Sequence, residues 1–155
     1  MAGPLKSGAA KSPVNPGKKK IAVVVAEWNE EITEALYEAT VASLLSNGVK
    51  KENIVRKNVP GTFELSLAAL WMGEKKHIDA VICLGCVIQG ETPHFEYICQ
   101  AVANGITTAG LKTRKPVIFG VLTTLNKQQA LDRAGGKYGN KGEEAALSAI
   151  QMLAF

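Results

Sequence analysis

The sequence predicts an α/β domain, a parallel sheet with helices on both faces. Three observations carry this. Apolar runs of strand length alternate with segments of helical periodicity from residue 21 to residue 153. The runs at 21–26 (IAVVVA) and 80–88 (AVICLGCVI) are almost wholly apolar, as strands covered on both faces must be. Each strand-to-strand connection is long enough to return over the sheet, which favours right-handed parallel crossovers.

Each element has its own signal. Residues 21–26 form the first strand. Ile32, Leu36, Ala39, Leu44 and Leu45 then recur at helical spacing, and Gly48 stops that helix. Residues 53–59 read as a second, more polar strand near an edge. A helix over 62–75 opens just after Pro60-Gly61. Residues 80–88 are the third and most apolar strand. Thr92 is expected to cap a helix with Pro93 at its first position, running to about Thr113. Residues 116–125 form the fourth strand. Asn126 caps a short helix ending at Gly135-Gly136, and 141–153 is a final helix rich in Ala and Glu. Ahead of these, residues 1–18 hold Pro4, Pro13, Pro16 and several lysines. They are expected to be a flexible basic tail, leaving 19–155 as one domain.

Composition narrows the function classes. The chain has 155 residues, 46% hydrophobic and 21% charged, which excludes wholesale disorder and a disulfide scaffold. No apolar run approaches the roughly 20 residues of a membrane span. The formal charge is +4, but residues 1–20 hold five lysines and no acid, so the remainder holds 13 basic and 14 acidic residues, a net of −1. Neither nucleic acid nor membrane is therefore expected as a partner. Cys83-x-x-Cys86 has redox or zinc spacing, yet side chains three apart on a strand point to opposite faces. With Cys99 they read as structural thiols of a reducing compartment. No secretory h-region is present, and the cytoplasm is the expected location, or the plastid in a plant.

In a parallel α/β sheet, ligands bind at the carboxyl ends of the strands. There Trp28 offers a flat plate for an aromatic ring, or else a packed core lid. Pro60-Gly61-Thr62-Phe63-Glu64 makes a sharp turn into a helix, whose first N–H groups can meet a polar ligand. Glu64 can accept from ligand hydroxyls or simply favour the helix dipole. Cys86-Val87-Ile88-Gln89-Gly90-Glu91-Thr92-Pro93-His94 leads into a helix start suited to an anion. His94 in that first turn suits proton shuttling, or a capping role. His77, in a Lys-rich turn, reads as solvated. Phe119 serves as core or as ring cover. Arg133 and Lys141 suit a phosphate, or a helix end and solvent. No Walker loop, dinucleotide fingerprint, zinc or calcium motif is present. The kit suits condensation or group transfer on an aromatic and a small phosphorylated substrate.

Taken in order, five stretches resemble the lumazine synthase family of riboflavin biosynthesis. They are Trp28-Asn29-Glu30-x-Ile32-Thr33; Val59-Pro60-Gly61-Thr62-Phe63-Glu64; Gly85-Cys86-Val87-Ile88-x-Gly90-x-Thr92-Pro93-His94-Phe95; Pro116-Val117-Ile118-Phe119-Gly120-Val121-Leu122-Thr123; and Gln129-Ala130-x-x-Arg133-Ala134-Gly135 with Gly139-Asn140-Lys141-Gly142. The resemblance covers about residues 19–153. It implies a flavodoxin-like three-layer sandwich with a four-stranded parallel sheet in order 2-1-3-4. It implies condensation of 5-amino-6-(D-ribitylamino)uracil with 3,4-dihydroxy-2-butanone 4-phosphate, with no cofactor or metal. On matching positions, Trp28 stacks on the pyrimidine ring. Thr62, Phe63 and Glu64 hold the ribityl chain, and Cys86, Val87 and Ile88 hold the ring edge by their backbone. Glu91 and Thr92 bind the phosphate, and His94 carries protons. Phe119 and Arg133 come from a neighbouring subunit, with Lys141 near the phosphate.

Two positions depart from the usual pattern. Gln89 stands where many members have Arg, and Trp28 where many have Phe. A Trp plate is compatible with riboflavin as a further ligand. The resemblance also implies a homo-pentamer, and the short Gly-rich joint at 135–142 an icosahedral shell of twelve pentamers. The competing readings are an archaeal-type riboflavin synthase and a non-enzymatic flavin-binding protein. An assay with both substrates separates them.

Overall fold

The computed structural model describes residues 15–155. The predicted tail lies mostly outside the described residues. Of it, Pro16–Lys18 form a single 3-10 turn with Gly17 buried, and Asn53 Nδ2 donates to the Gly17 carbonyl at 2.9 Å.

Four strands form the sheet: β1 (Ile21–Ala26), β2 (Ile54–Val59), β3 (Ala80–Ile88) and β4 (Val117–Thr124). All pair in parallel in the order β2-β1-β3-β4, as the resemblance implies. Ile21 lies level with both Ile54 and Ala80, and Val81 with Val117, so the strands start at one height. β1 and β3 are central and apolar throughout. β2, the polar strand, is at an edge, where one flank faces water.

The helices are α1 (Glu30–Ser46), α2 (Leu65–Glu74), α3 (His94–Thr113), α4 (Lys127–Leu131) and α5 (Lys141–Leu153). Alternation along the strands divides the interior into two cores. Ile21, Val23, Val25, Ile82, Leu84 and Cys86 meet Leu36 and Leu44 of α1 and Ala145, Ala146 and Ala149 of α5. Ala22, Val24, Val81 and Cys83 meet Leu65 and Ala69 of α2 and Val102 and Ile106 of α3. The two CxxC thiols thus sit in different layers. Burial pushes Cys83 up to about 12 and Cys86 up to about 11, so both are neutral thiols.

Several boundaries differ from the expected ones, each for a local reason. Residues Thr62–Glu64 form a 3-10 turn before α2, because the Glu64 carboxylate reaches back to the Gly61 N–H at 3.0 Å. Thr92 does not cap α3: Pro93 occupies the cap position, and no side chain closes the helix start. The short helix α4 ends at Leu131. Residues Ala134–Gly136 (β5) and Gly139–Asn140 (β6) instead pair antiparallel, with Gly135 and Gly139 at φ of +112° and +75°. Leu45 is 42% exposed, and Val49 in the following turn joins the core instead. Asn126 does cap α4, its side chain accepting from the Gln129 N–H.

Candidate active site

The carboxyl ends of β1, β2 and β3 are laced together. The Glu27 N–H donates to the Val59 carbonyl at 2.9 Å and the Trp28 N–H to Pro60 at 3.1 Å, carrying the β1–β2 ladder past both strands. Asn29 then turns the chain into α1 through the left-handed region, at φ 60°. Its short amide tolerates that conformation. Its Nδ2 donates to the Cys86 carbonyl at 2.9 Å, pinning the end of β1 to that of β3.

Thr62 is buried, and its hydroxyl also reaches the Cys86 carbonyl, at 3.4 Å. That approach needs Gly85, since a Cβ there would meet the Thr62 hydroxyl at 2.8 Å. The turn after β2 is therefore clamped on β3 rather than free.

Between these ends lies a cleft of about 440 Å³. Trp28, Asn29, Pro60 and Gly61 form one wall, Thr62, Phe63 and Glu64 the floor of the turn, and Cys86, Val87 and Ile88 the β3 wall; His94 and Ile98 of α3 close it. That volume suits a bicyclic or smaller ligand. Trp28 is 73% exposed and Phe63 53%, so both present open aromatic faces instead of core packing. His94 is exposed at the first position of α3, beside amides that have no carbonyl upstream in the helix. A ligand here would meet flat apolar surfaces, free N–H groups and one imidazole.

Eight of the expected residues line this cleft: Trp28, Thr62, Phe63, Glu64, Cys86, Val87, Ile88 and His94. Two qualifications follow from geometry. Cys86 turns its thiol into the α1/α5 core and offers only backbone, and one Glu64 oxygen is engaged by Gly61. Glu91 and Thr92 lie exposed in the bend ahead of α3, outside the lining. Phe119, Arg133 and Lys141 are also outside it. Phe119 is 43% exposed on edge strand β4. Arg133 donates to the Gln129 carbonyl at 2.9 Å and stacks 4.9 Å from the Tyr138 ring centroid. Lys141 is paired with Glu144 at 2.7 Å.

Asn29 and Ile98 were not expected to shape the site. Asn29 could have been found, since an Asn between a strand and a helix is a ready left-handed turn residue. Ile98 lies one helical turn after His94 and so shares its face. Among the described residues, no group of three or more His, Cys, Asp or Glu is placed to hold a metal ion.

The family profile for 6,7-dimethyl-8-ribityllumazine synthase matches residues 18–155. The chain belongs to the lumazine synthase family. It is 66% identical over 140 residues to the 6,7-dimethyl-8-ribityllumazine synthase of Cytophaga hutchinsonii, covering 90% of this chain and 88% of that one. To the enzyme of the same name from Parabacteroides distasonis it is 56% identical over 135 residues (87% and 84% covered), and to that of Porphyromonas gingivalis 53% over 133 (86% and 83%). It is accordingly a transferase that carries out the lumazine synthase reaction of riboflavin biosynthesis. Among the described residues, no helix of this lumazine synthase is long and apolar enough to cross a membrane.

Proposed function

We propose that the cleft at the ends of β1, β2 and β3 is where this lumazine synthase condenses 5-amino-6-(D-ribitylamino)uracil with 3,4-dihydroxy-2-butanone 4-phosphate, releasing phosphate and water. The carrying observation is that Trp28, the 62–64 turn, residues 86–88 and His94, drawn from three of the five matched stretches, line one cavity. Trp28 stacks on the pyrimidine, and backbone groups of 86–88 hold the ring edge. The ribityl hydroxyls meet the 62–64 turn and the free Glu64 oxygen. The ring amine attacks the ketone carbon, water leaves, and an imine forms. His94 carries protons to the departing oxygens. Holding amine and ketone together supplies much of the acceleration, so no strong protein nucleophile is needed. Glu91 and Thr92 serve the phosphate at the start of α3.

Among the described residues, no Lys or Arg lines one chain's cleft to meet that phosphate. Arg133, Lys141 and Phe119 lie off it, as expected if they act on a neighbour's cleft. This supports a homo-pentamer, in which Phe119 covers the ring and Arg133 clamps the phosphate of the adjacent subunit. The tight β5–β6 hairpin between α4 and α5 fits the short joint of shell builders, and we extend the proposal to a shell of twelve pentamers. The exposed Trp28 supports riboflavin as a second ligand, and the enzyme is assigned to the cytoplasm. Following lumazine fluorescence with both substrates, for the parent and for His94→Ala, tests the site. Unchanged turnover in the variant would overturn it. Sedimentation showing pentamers alone would remove the shell. Riboflavin that leaves Trp28 emission unquenched would remove the second ligand.

A further inference from the structure

The described residues carry a net charge of +2, and that small value is an average over two unlike regions. Because the four strands start level, the segments preceding them share one end of the sheet, opposite the cleft. Lys18, Lys19 and Lys20 precede β1, and Lys50 and Lys51 precede β2. Lys75 and Lys76 precede β3, and Lys112, Arg114 and Lys115 precede β4. Against these ten cations stand only Glu52, Glu74 and Asp79, a net of +7. The other described residues hold six cations and eleven acids, a net of −5.

Ordinary structural roles absorb part of this charge. Asp79 takes Lys19 at 3.3 Å, and Lys115 donates to the Lys75 carbonyl at 2.8 Å. Helices α1, α2, α3 and α5 also end here, and their C-terminal partial charges amount to about −2. A surplus of several positive charges remains. It is spread across four strands, a width of about 15 Å at the spacing of a sheet. Lys18, Lys50, Lys51, Lys75, Lys76 and Arg114 are all exposed.

We infer that this end of the sheet is a docking surface for double-helical nucleic acid, held by its phosphate backbone. Among the described residues of the connections at 16–20, 47–53, 75–79 and 114–116, His77 is the one aromatic-ring side chain, and the exposed Phe155 lies apart beside Arg114, so no row of rings is present on which successive unpaired bases could stack. Val49 and Ile78 are buried, and the exposed apolar side chains at this end, Leu111, Met152 and Phe155, gather beside Arg114 at the β4 side and not among the lysines that precede β1, β2 and β3. The segments before β1, β2 and β3 present mainly point charge, and a duplex supplies one negative charge per about 1.7 Å of axis. Binding is independent of sequence, because lysines on phosphates read no bases. The cleft lies at the opposite end of the strands, which leaves the substrate mouth clear.

The test is fluorescence anisotropy of a labelled, random-sequence DNA duplex with the full chain. Binding should appear at 50 mM salt and weaken about 100-fold by 200 mM, as for a site engaging about four phosphates. The variant Lys50→Glu/Lys51→Glu/Lys75→Glu/Lys76→Glu should bind at least 10-fold more weakly with lumazine formation unchanged, which also reports its folding. The salt series on the parent protein needs no substitution. The inference is overturned by no duplex binding at 50 mM salt, or by equal binding in the quadruple variant. Loss of binding on Lys6→Ala/Lys11→Ala alone would assign it to the upstream segment. Preference for phosphatidylserine vesicles over the duplex would assign it to membranes. Either result also overturns it.

Discussion

His94 stands at the mouth of α3 with nothing but the cleft before it, so its removal separates proton transfer from binding. His94→Ala should lower kcat by about 100-fold or more while leaving pyrimidine affinity nearly unchanged, read by steady-state kinetics. Arg133→Ala should act on the other substrate. Loss of a charge-assisted contact to phosphate should raise KM for the phosphorylated substrate about 10-fold or more. Both residues were legible in the sequence as residue types, His94 by its place at a helix start. Residue type and spacing alone did not place Arg133 off its own chain's cleft; only the family resemblance carried that expectation. Away from the site, Arg56 grips Glu34 with both guanidinium nitrogens and lies 4.3 Å over the Tyr37 ring. The Arg56 hydrogen bond holds the Glu34 carboxyl below its ordinary 4.5. A lowered carboxyl stabilises the fold above its unfolded pKa, and that support is lost as pH falls through the folded value. Both groups are about a third exposed, so the effect is at most about 1 kcal/mol. Glu34→Gln should lower Tm by a few degrees at pH 7, and the gap should close in parallel melts as pH falls below the ordinary carboxyl range.

At the scale of elements, α5 begins in close contact with α1. Asn140 caps α5 by accepting from the Gly142 N–H at 2.8 Å and donates to the Ala35 carbonyl at 3.1 Å. Gly142 lies against α1, and the Thr40 hydroxyl donates to its carbonyl at 3.0 Å or to that of Leu36. A Cβ at Gly142 would run into the Leu36 carbonyl oxygen. Gly142→Ala should therefore cost about 1–3 kcal/mol, seen as a lower urea midpoint. Asn126→Ala, which removes the α4 cap, should cost about 1 kcal/mol. Periodicity located the strands to within a residue, because covered apolar runs have sharp polar ends. It failed where polar side chains compete for backbone partners. Thr92 looked like a cap by residue type, and Pro93 took the place. The 134–140 hairpin is too short to show any alternation.

Over the whole molecule, the sheet order places three of its four strand ends around one cleft and leaves β4 at an edge. The sequence motifs named the stretches that meet, and the parallel register explains why they meet. Counting charges along the chain missed the separation between the two ends. Charge order in space depends on which connections lie level, and that is a property of the sheet.

β3 carries one thiol in each core, at Cys83 and Cys86. Each is closed to solvent by a different pair of helices. The strand therefore bears two independent clocks for local opening. Alkylation at Cys83 times the departure of α2 and α3, and alkylation at Cys86 times that of α1 and α5. Matching rates would mean that the sheet opens both faces in one event.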